Sequence, residues 1–255
     1  MKKTRFTALF LAVLLLAAVP LSAFAQTGTN SGYTDISEKW FSEAAQKYGY
    51  PEIFSDGSGK FYPDSKITRI EFVRMLHRAL SININYFAAP DIADSFEDIT
   101  NSDVGASELI DMVTTGIIEA GGNFEPQSPL TRETMVHWLM RALNVQTGGN
   151  YAMIMIMPMP FDDDSEIATA YNSEVYSAVV LKLIGGRGNN MLYPKDGATR
   201  AEAVTVVSRL VALLDSYKLG VVVSPSARLN EDGMLTMSLA LRNNTDKPVV
   251  ISHTS

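Results

Sequence analysis

Three arginines stand inside one recurring phrase: Ile67-Thr68-Arg69-Ile70-Glu71, Leu130-Thr131-Arg132-Glu133-Thr134 and Ala198-Thr199-Arg200-Ala201-Glu202. The chemistry open to such residues is anion recognition. A guanidinium is a planar fork of donors that can grip a carboxylate through two parallel hydrogen bonds. At a helix start it would stand beside main-chain amides that lack partners within the helix, and these also favour anions. Otherwise the placement is unfavourable, because a cation in the first turn faces the positive end of the helix dipole, at about 0.3–1 kcal/mol. Two explanations stay open. The arginines either hold neighbouring segments together through salt bridges, with Asp35, Asp98 and Asp163 as partners, or they form an anion site.

The rest of the phrase needs no functional explanation. Thr-x-x-Glu before an apolar helix is a capping box, in which the hydroxyl accepts from the third helical amide and the glutamate reaches back to the cap's own amide. Thr68 with Glu71 and Thr199 with Glu202 satisfy it, whereas Thr131 is followed by Thr134, the glutamate having slipped to Glu133. A lost cap costs about 1 kcal/mol, so the second helix start is expected to be the least secure.

The elements that position the arginines are written in the same register. Four residues after each arginine stand Val73, Val136 and Val204; seven after, Leu76, Leu139 and Val207; eleven after, Leu80, Leu143 and Val211. These offsets trace one face of a helix, so each segment carries an apolar stripe to bury. Upstream of each arginine lie Pro63, Pro126 and Pro194, and before them Phe61, Phe124 and Leu192. Each segment opens on an aromatic and an acid, Tyr33-Thr34-Asp35, Phe96-Glu97-Asp98 and Phe161-Asp162-Asp163. The chain therefore reads as a threefold repeat. First helices are expected near 38–48, 104–115 and 173–183, followed by glycine-rich loops that need positive φ. One helix pair cannot bury its own stripe, so the second helices are expected to pack together as a small pseudo-threefold bundle. The expected divisions are repeats at 32–83, 95–145 and 160–216. The trailing Arg78, Arg141 and Arg209 fall near helix C-termini, where cations belong, and are read as structural.

Lys2, Lys3 and Arg5, an apolar run over residues 8–19 and Ala23-Phe24-Ala25 make a secretory signal peptide over 1–25. No cysteine occurs, so an exported chain of this size must rely on its core, and 46% hydrophobic residues allow that. The combination suggests a bacterial surface. Cleavage removes three of 21 bases and none of 28 acids, leaving 18 − 28 = −10. That balance disfavours nucleic acid as a partner, and an anionic ligand must be held by a local basic patch. Nothing downstream of the leader reads as a membrane helix; residues 151–159 are Met-rich but too few, and read as a buried strand or connector.

No serine-nucleophile motif, phosphate loop, Cys–His pair or metal-ligand spacing occurs; His77, His137 and His253 lie in different segments, and Asp162-Asp163-Asp164 reads as an acidic approach to a helix rather than a calcium loop. The chain is expected to be no enzyme and to need no cofactor. From Leu219 the pattern changes to β-branched and alternating runs, punctuated by Asp232-Gly233 and Asn243-Asn244, which reads as two or three antiparallel strands. Residues 219–255 resemble the opening of bacterial proteinase-inhibitor-like immunoglobulin sandwiches.

Phe-x-Asp, a tryptophan, a glycine-rich loop, Phe-x-Pro and then Ile-Thr-Arg-x-Glu together resemble the S-layer homology domain, which comes in three tandem copies. The resemblance covers roughly residues 32–216. It implies a mainly α module around a central helix bundle that holds exported proteins on the bacterial cell wall by binding pyruvylated secondary cell wall polysaccharide. Its implied site residues are Arg69, Arg132 and Arg200 on the ketal carboxylate and Trp40 stacked on a sugar ring, with Asp35 beside them. Val104 and Ala170 stand where Trp40 stands in the first copy, so the first groove, combining Arg69 with Trp40, is expected to bind best. Trp138 lies inside a second helix and reads as core. Other surface-layer proteins are a further class of partner. The alternative is an interaction or protease-inhibitor-like protein acting through its C-terminal β domain, with the repeats as a tether.

Overall fold

A threonine caps the start of each of the long helices. Thr68 accepts from the Glu71 amide while Glu71 accepts from the Thr68 amide, closing the expected capping box, and Thr199 and Glu202 repeat both bonds. Thr131 accepts from the Thr134 amide with no glutamate to answer it. In the computed structural model of the chain, which describes residues 32–88, 90–151, 158–218, 221–229 and 235–243, the protein is mainly helical. The signal peptide, most of the Met-rich stretch and the Asp232-Gly233 turn lie outside the described residues.

Seven α-helices run among the described residues: α1 Ser42–Tyr48, α2 Pro51–Phe54, α3 Arg69–Ala79, α4 Ala106–Thr114, α5 Arg132–Thr147, α6 Asn172–Val180 and α7 Arg200–Lys218. The short α2 is absent from the sequence expectation. Pro51 nucleates it, having its φ preset for a helix and no amide to leave unpaired at the first position. Two of the first helices, α1 and α4, begin later than expected, whereas α6 begins within a residue of its expected start. Glu38 holds a φ of 58°, which interrupts the helical run before α1, and Gly105, at φ 89°, does the same before α4. α5 runs on to Thr147, past the expected end of the second repeat at 145.

The expected stripe is buried. Val73, Leu76, Val136, Leu139, Val204 and Val207 are closed to solvent, whereas Leu80 and Val211, nearer the helix ends, are half-buried against the same core. Phe72, Phe124 and Trp138 stack at its centre, with Trp138 ring centroids 6.3 Å from Phe72 and 5.9 Å from Phe124. α4 packs on α3, α6 on α5 and α1 on α7. Gly105 is required by the first of these contacts: a Cβ there would stand 2.6 Å from Ile70 Cγ1.

Ahead of the long helices the main chain closes on itself. The Ile67 amide donates to Ala198 O at 3.0 Å, the Ala198 amide to Leu130 O at 2.8 Å and the Leu130 amide to Ile67 O at 2.9 Å. All three side chains are fully buried, so these amides and carbonyls have no water to turn to and each segment supplies the bond its neighbour lacks. C-terminally, β1 Val221–Leu229 and β2 Leu235–Asn243 pair antiparallel, from Val221 opposite Asn243 to Leu229 opposite Leu235.

Candidate functional site

Each motif arginine is the first residue of its helix. The amides expected to be free beside it are taken. Arg69 and Ile70 donate to Ser128 O and Pro126 O, Arg132 and Glu133 to Asp196 O and Pro194 O, and Arg200 and Ala201 to Ser65 O and Pro63 O. The carbonyls come from the loop of the following segment, with the third segment reaching back to the first. The helix starts are therefore sealed by protein, and only the guanidinium is left to bind an anion.

The three guanidinium groups differ. Arg132 is 2% exposed and bonded through all three nitrogens: Nε donates to Leu192 O at 2.8 Å, Nη2 to Gly185 O at 2.9 Å and Nη1 to Glu202 Oε1 at 2.7 Å. Arg200 bonds Phe61 O through Nη1 at 3.1 Å and Glu71 Oε1 through Nη2 at 2.8 Å, and lies over the Phe54 ring. Arg69 has a carbonyl, Phe124 O at 2.6 Å from its Nε, and no carboxylate within ion-pair distance among the described residues. Its guanidinium lies over two rings instead, 5.0 Å from the Phe124 centroid and 4.9 Å from that of Trp138. Burial draws its pKa below the usual arginine value, opposed from further off by Glu125, Tyr171 and Asp98.

The salt-bridge explanation is thus correct in kind for two arginines and wrong about the partner. The opening aspartates are engaged elsewhere. Asp35 accepts from the amides of Phe61 and Tyr62 at 2.8 and 2.9 Å, Asp98 from Phe124 and Glu125, and Asp163 from Leu192 and Tyr193. In each case the second amide belongs to a residue held at positive φ, Tyr62, Glu125 or Tyr193. Asp35, expected beside a ligand, instead clamps a left-handed turn, because a bidentate carboxylate stabilises two amides that the turn leaves unpaired.

The partners of the arginines are the capping glutamates. Glu71 gives Oε2 to the Thr68 amide and Oε1 to Arg200; Glu202 gives Oε2 to the Thr199 amide and Oε1 to Arg132. Glu202 also meets Arg187 through both oxygens at 2.7 Å. Burial pushes its carboxyl up, yet Arg187, Arg132 and the Thr199 amide outweigh that and hold it at about 2. The displaced Glu133 is turned outward from Arg69's junction, accepting from the Ala168 amide at 3.0 Å and from Lys195 Nζ at 2.5 Å. This double use of one glutamate was invisible in the sequence, although its failure at Thr134 was in plain view there.

Trp40 is 69% exposed and touches Phe41 edge-on at 5.3 Å. It precedes α1, which packs on α7, while Arg69 opens α3 and reaches Phe124. The tryptophan that accompanies Arg69 is Trp138, 4% exposed and part of the core. Among the described residues no ring contact joins Trp40 to Arg69, and the two expected partners meet different side chains. Arg78 pairs with Glu52, Arg141 with Glu119 and the Gly116 and Ile117 carbonyls, and Arg209 with Leu183 O. His77 and His137 pair with Asp111 and Glu174 across the α3–α4 and α5–α6 contacts, and no group of three metal-ligating side chains gathers among the described residues.

Comparison with known proteins places this geometry. The S-layer homology domain model matches residues 32–73 and 160–204. The second segment, which lacks the glutamate at its third helical position, falls outside both matches. An amylopullulanase of Thermoanaerobacterium thermosulfurigenes is 29% identical over 196 residues, which is 76% of this chain and 10% of that protein. Exoglucanase XynX of Acetivibrio thermocellus is 30% identical over 200 residues, 78% of this chain and 18% of the other. An uncharacterized cell wall amidase of Bacillus anthracis is 27% identical over 181 residues, 69% of this chain and 31% of that one. The chain thus spans less than a third of the length of each of these relatives. The chain therefore carries S-layer homology domains at residues 32–73 and 160–204.

Proposed function

We propose that the chain anchors an exported protein to the bacterial cell wall without covalent attachment, by binding an anionic secondary cell wall polysaccharide that carries pyruvyl groups. In this reading residues 32–83, 95–145 and 160–216 are three tandem repeats in a pseudo-threefold bundle, and residues 219–255, which include the paired strands β1 and β2, open an immunoglobulin-like sandwich. The relatives carry three different activities in their names and share a stretch that is a small part of each. A module common to all three is better suited to location than to chemistry, so the chain itself is read as a binding protein and not an enzyme.

The observation that carries the ligand class is Arg69, a half-buried guanidinium over two aromatic rings with no carboxylate partner among the described residues. A charge so placed has lost water and gained no counter-ion, and a ketal carboxylate supplies one. Trp40 offers an exposed ring for the apolar face of a sugar elsewhere on the module. The test is sedimentation of the mature protein with purified wall sacculi. Protein is expected in the pellet with intact sacculi and in the supernatant once the pyruvyl groups are removed; equal pelleting from both would contradict the proposed ligand.

A further inference from the structure

We infer that the chain holds one anionic glycan group per molecule, at Arg69, and that Thr134 is the residue that decides this. The inference rests on the reading of the chain as a polysaccharide anchor and asks which of three similar arginines serves it. At two of them the place of a ligand carboxylate is filled from within. Glu202 Oε1 lies 2.7 Å from Arg132 Nη1 and Glu71 Oε1 lies 2.8 Å from Arg200 Nη2. Each glutamate is the third residue of its helix and is fixed there by its other oxygen, which accepts from the cap amide. A carboxylate held in place pays no translational entropy on pairing, so it outcompetes one arriving from solution.

The third residue of α5 is Thr134, whose hydroxyl bonds only as far as Thr131 Oγ1 at 2.8 Å. Glu133, one position away, faces a different neighbour and is held by Ala168 and Lys195. Asp98, in the same segment as Arg69's carbonyl partner, has its oxygens on the Phe124 and Glu125 amides. Arg132 and Arg200 each have both Nη groups engaged by a carboxylate and a carbonyl, whereas the hydrogen bond of Arg69 is made by Nε and leaves its Nη groups for a ligand. The guanidinium is oriented in advance by the Phe124 carbonyl and by the Phe124 and Trp138 rings beneath it, so that a carboxylate meets a rigid donor pair. The loss of one capping glutamate thus weakens a helix start and at the same time opens a site.

The experiment is isothermal titration of the full chain with soluble pyruvylated wall polysaccharide fragments, using wild type, Thr134→Glu and Thr134→Gln, with Tm recorded for each. Wild type is expected to bind one fragment per chain. Thr134→Glu is expected to melt higher, through a restored capping box and a new pair with Arg69, and to bind at least about tenfold more weakly. Thr134→Gln, with the same shape and no charge, is expected to bind more tightly than Thr134→Glu. A ratio of two or three fragments per chain, a Thr134→Glu variant that binds as wild type does, one that melts lower, or equal weakening by Gln and Glu would each overturn the inference while leaving the anchor reading intact. A wild type that binds no fragment overturns both.

Discussion

Glu71 Oε1 accepts from Arg200 Nη2 at 2.8 Å although 129 residues separate them in the chain. The same glutamate caps its own helix through Oε2. One side chain therefore joins a local decision, where α3 begins, to a global one, how the last segment meets the first. Glu202 does the same between the third segment and the second. At the remaining junction the link is a carbonyl and two rings, so the three contacts are alike in main chain and unlike in charge.

Unequal contacts predict unequal losses. Arg132→Ala removes three hydrogen-bonded contacts of a buried guanidinium and leaves the half-buried Glu202 with Arg187 as its one remaining cation among the described residues, which should cost about 3 kcal/mol. Arg69→Ala removes one carbonyl bond and stacking over two rings, about 1–2 kcal/mol. Urea unfolding of the two variants gives the comparison, and equal losses would contradict the contrast drawn between the junctions.

Acid should loosen the module through Glu202. Its carboxyl is held at about 2, below the ordinary 4.5, so the folded state prefers it ionised. A depressed pKa contributes stability that is fully present above about pH 4.5 and is lost as pH falls towards 2, on the order of 3 kcal/mol. Melting temperatures of wild type should fall through that window more steeply than those of Glu202→Gln, which has nothing there to titrate.

Gly105→Ala tests the close approach of α4 to α3. The position has φ 89°, and an added Cβ would meet Ile70 Cγ1 at 2.6 Å and Arg74 Cδ at 2.9 Å. Strain and overpacking together should cost about 2–4 kcal/mol. Amide exchange is expected to rise first in α3 and α4.

How much of this was open to reading from the sequence depends on range. The stripe of Val73, Leu76 and their counterparts, the capping boxes and the core role of Trp138 were legible, because each is fixed by spacing within one helix. The clamp made by Asp35 was hidden, since a carboxylate that holds amides 26 and 27 residues away leaves no local periodicity. The rings beside Arg69 were hidden for the same reason. They come from Phe124 and Trp138 in the next segment, whereas the resemblance to the family pointed to Trp40.

Trp40→Ala separates recognition from folding. An indole that is 69% exposed contributes little to the core, so stability should change by no more than about 0.5 kcal/mol. Retention on wall polysaccharide should nevertheless fall if the ring meets sugar. A variant that melts several degrees early would instead assign Trp40 to packing against Phe41.

The most direct measurement is retention on immobilised pyruvylated wall polysaccharide by wild type and by Arg69→Ala, Arg132→Ala and Arg200→Ala, each corrected for its folded fraction. Arg69→Ala is predicted to stay folded and lose retention, while Arg132→Ala and Arg200→Ala lose stability and bind in proportion to what remains folded. Full retention by folded Arg69→Ala, or a specific loss in either of the other two, would contradict the account.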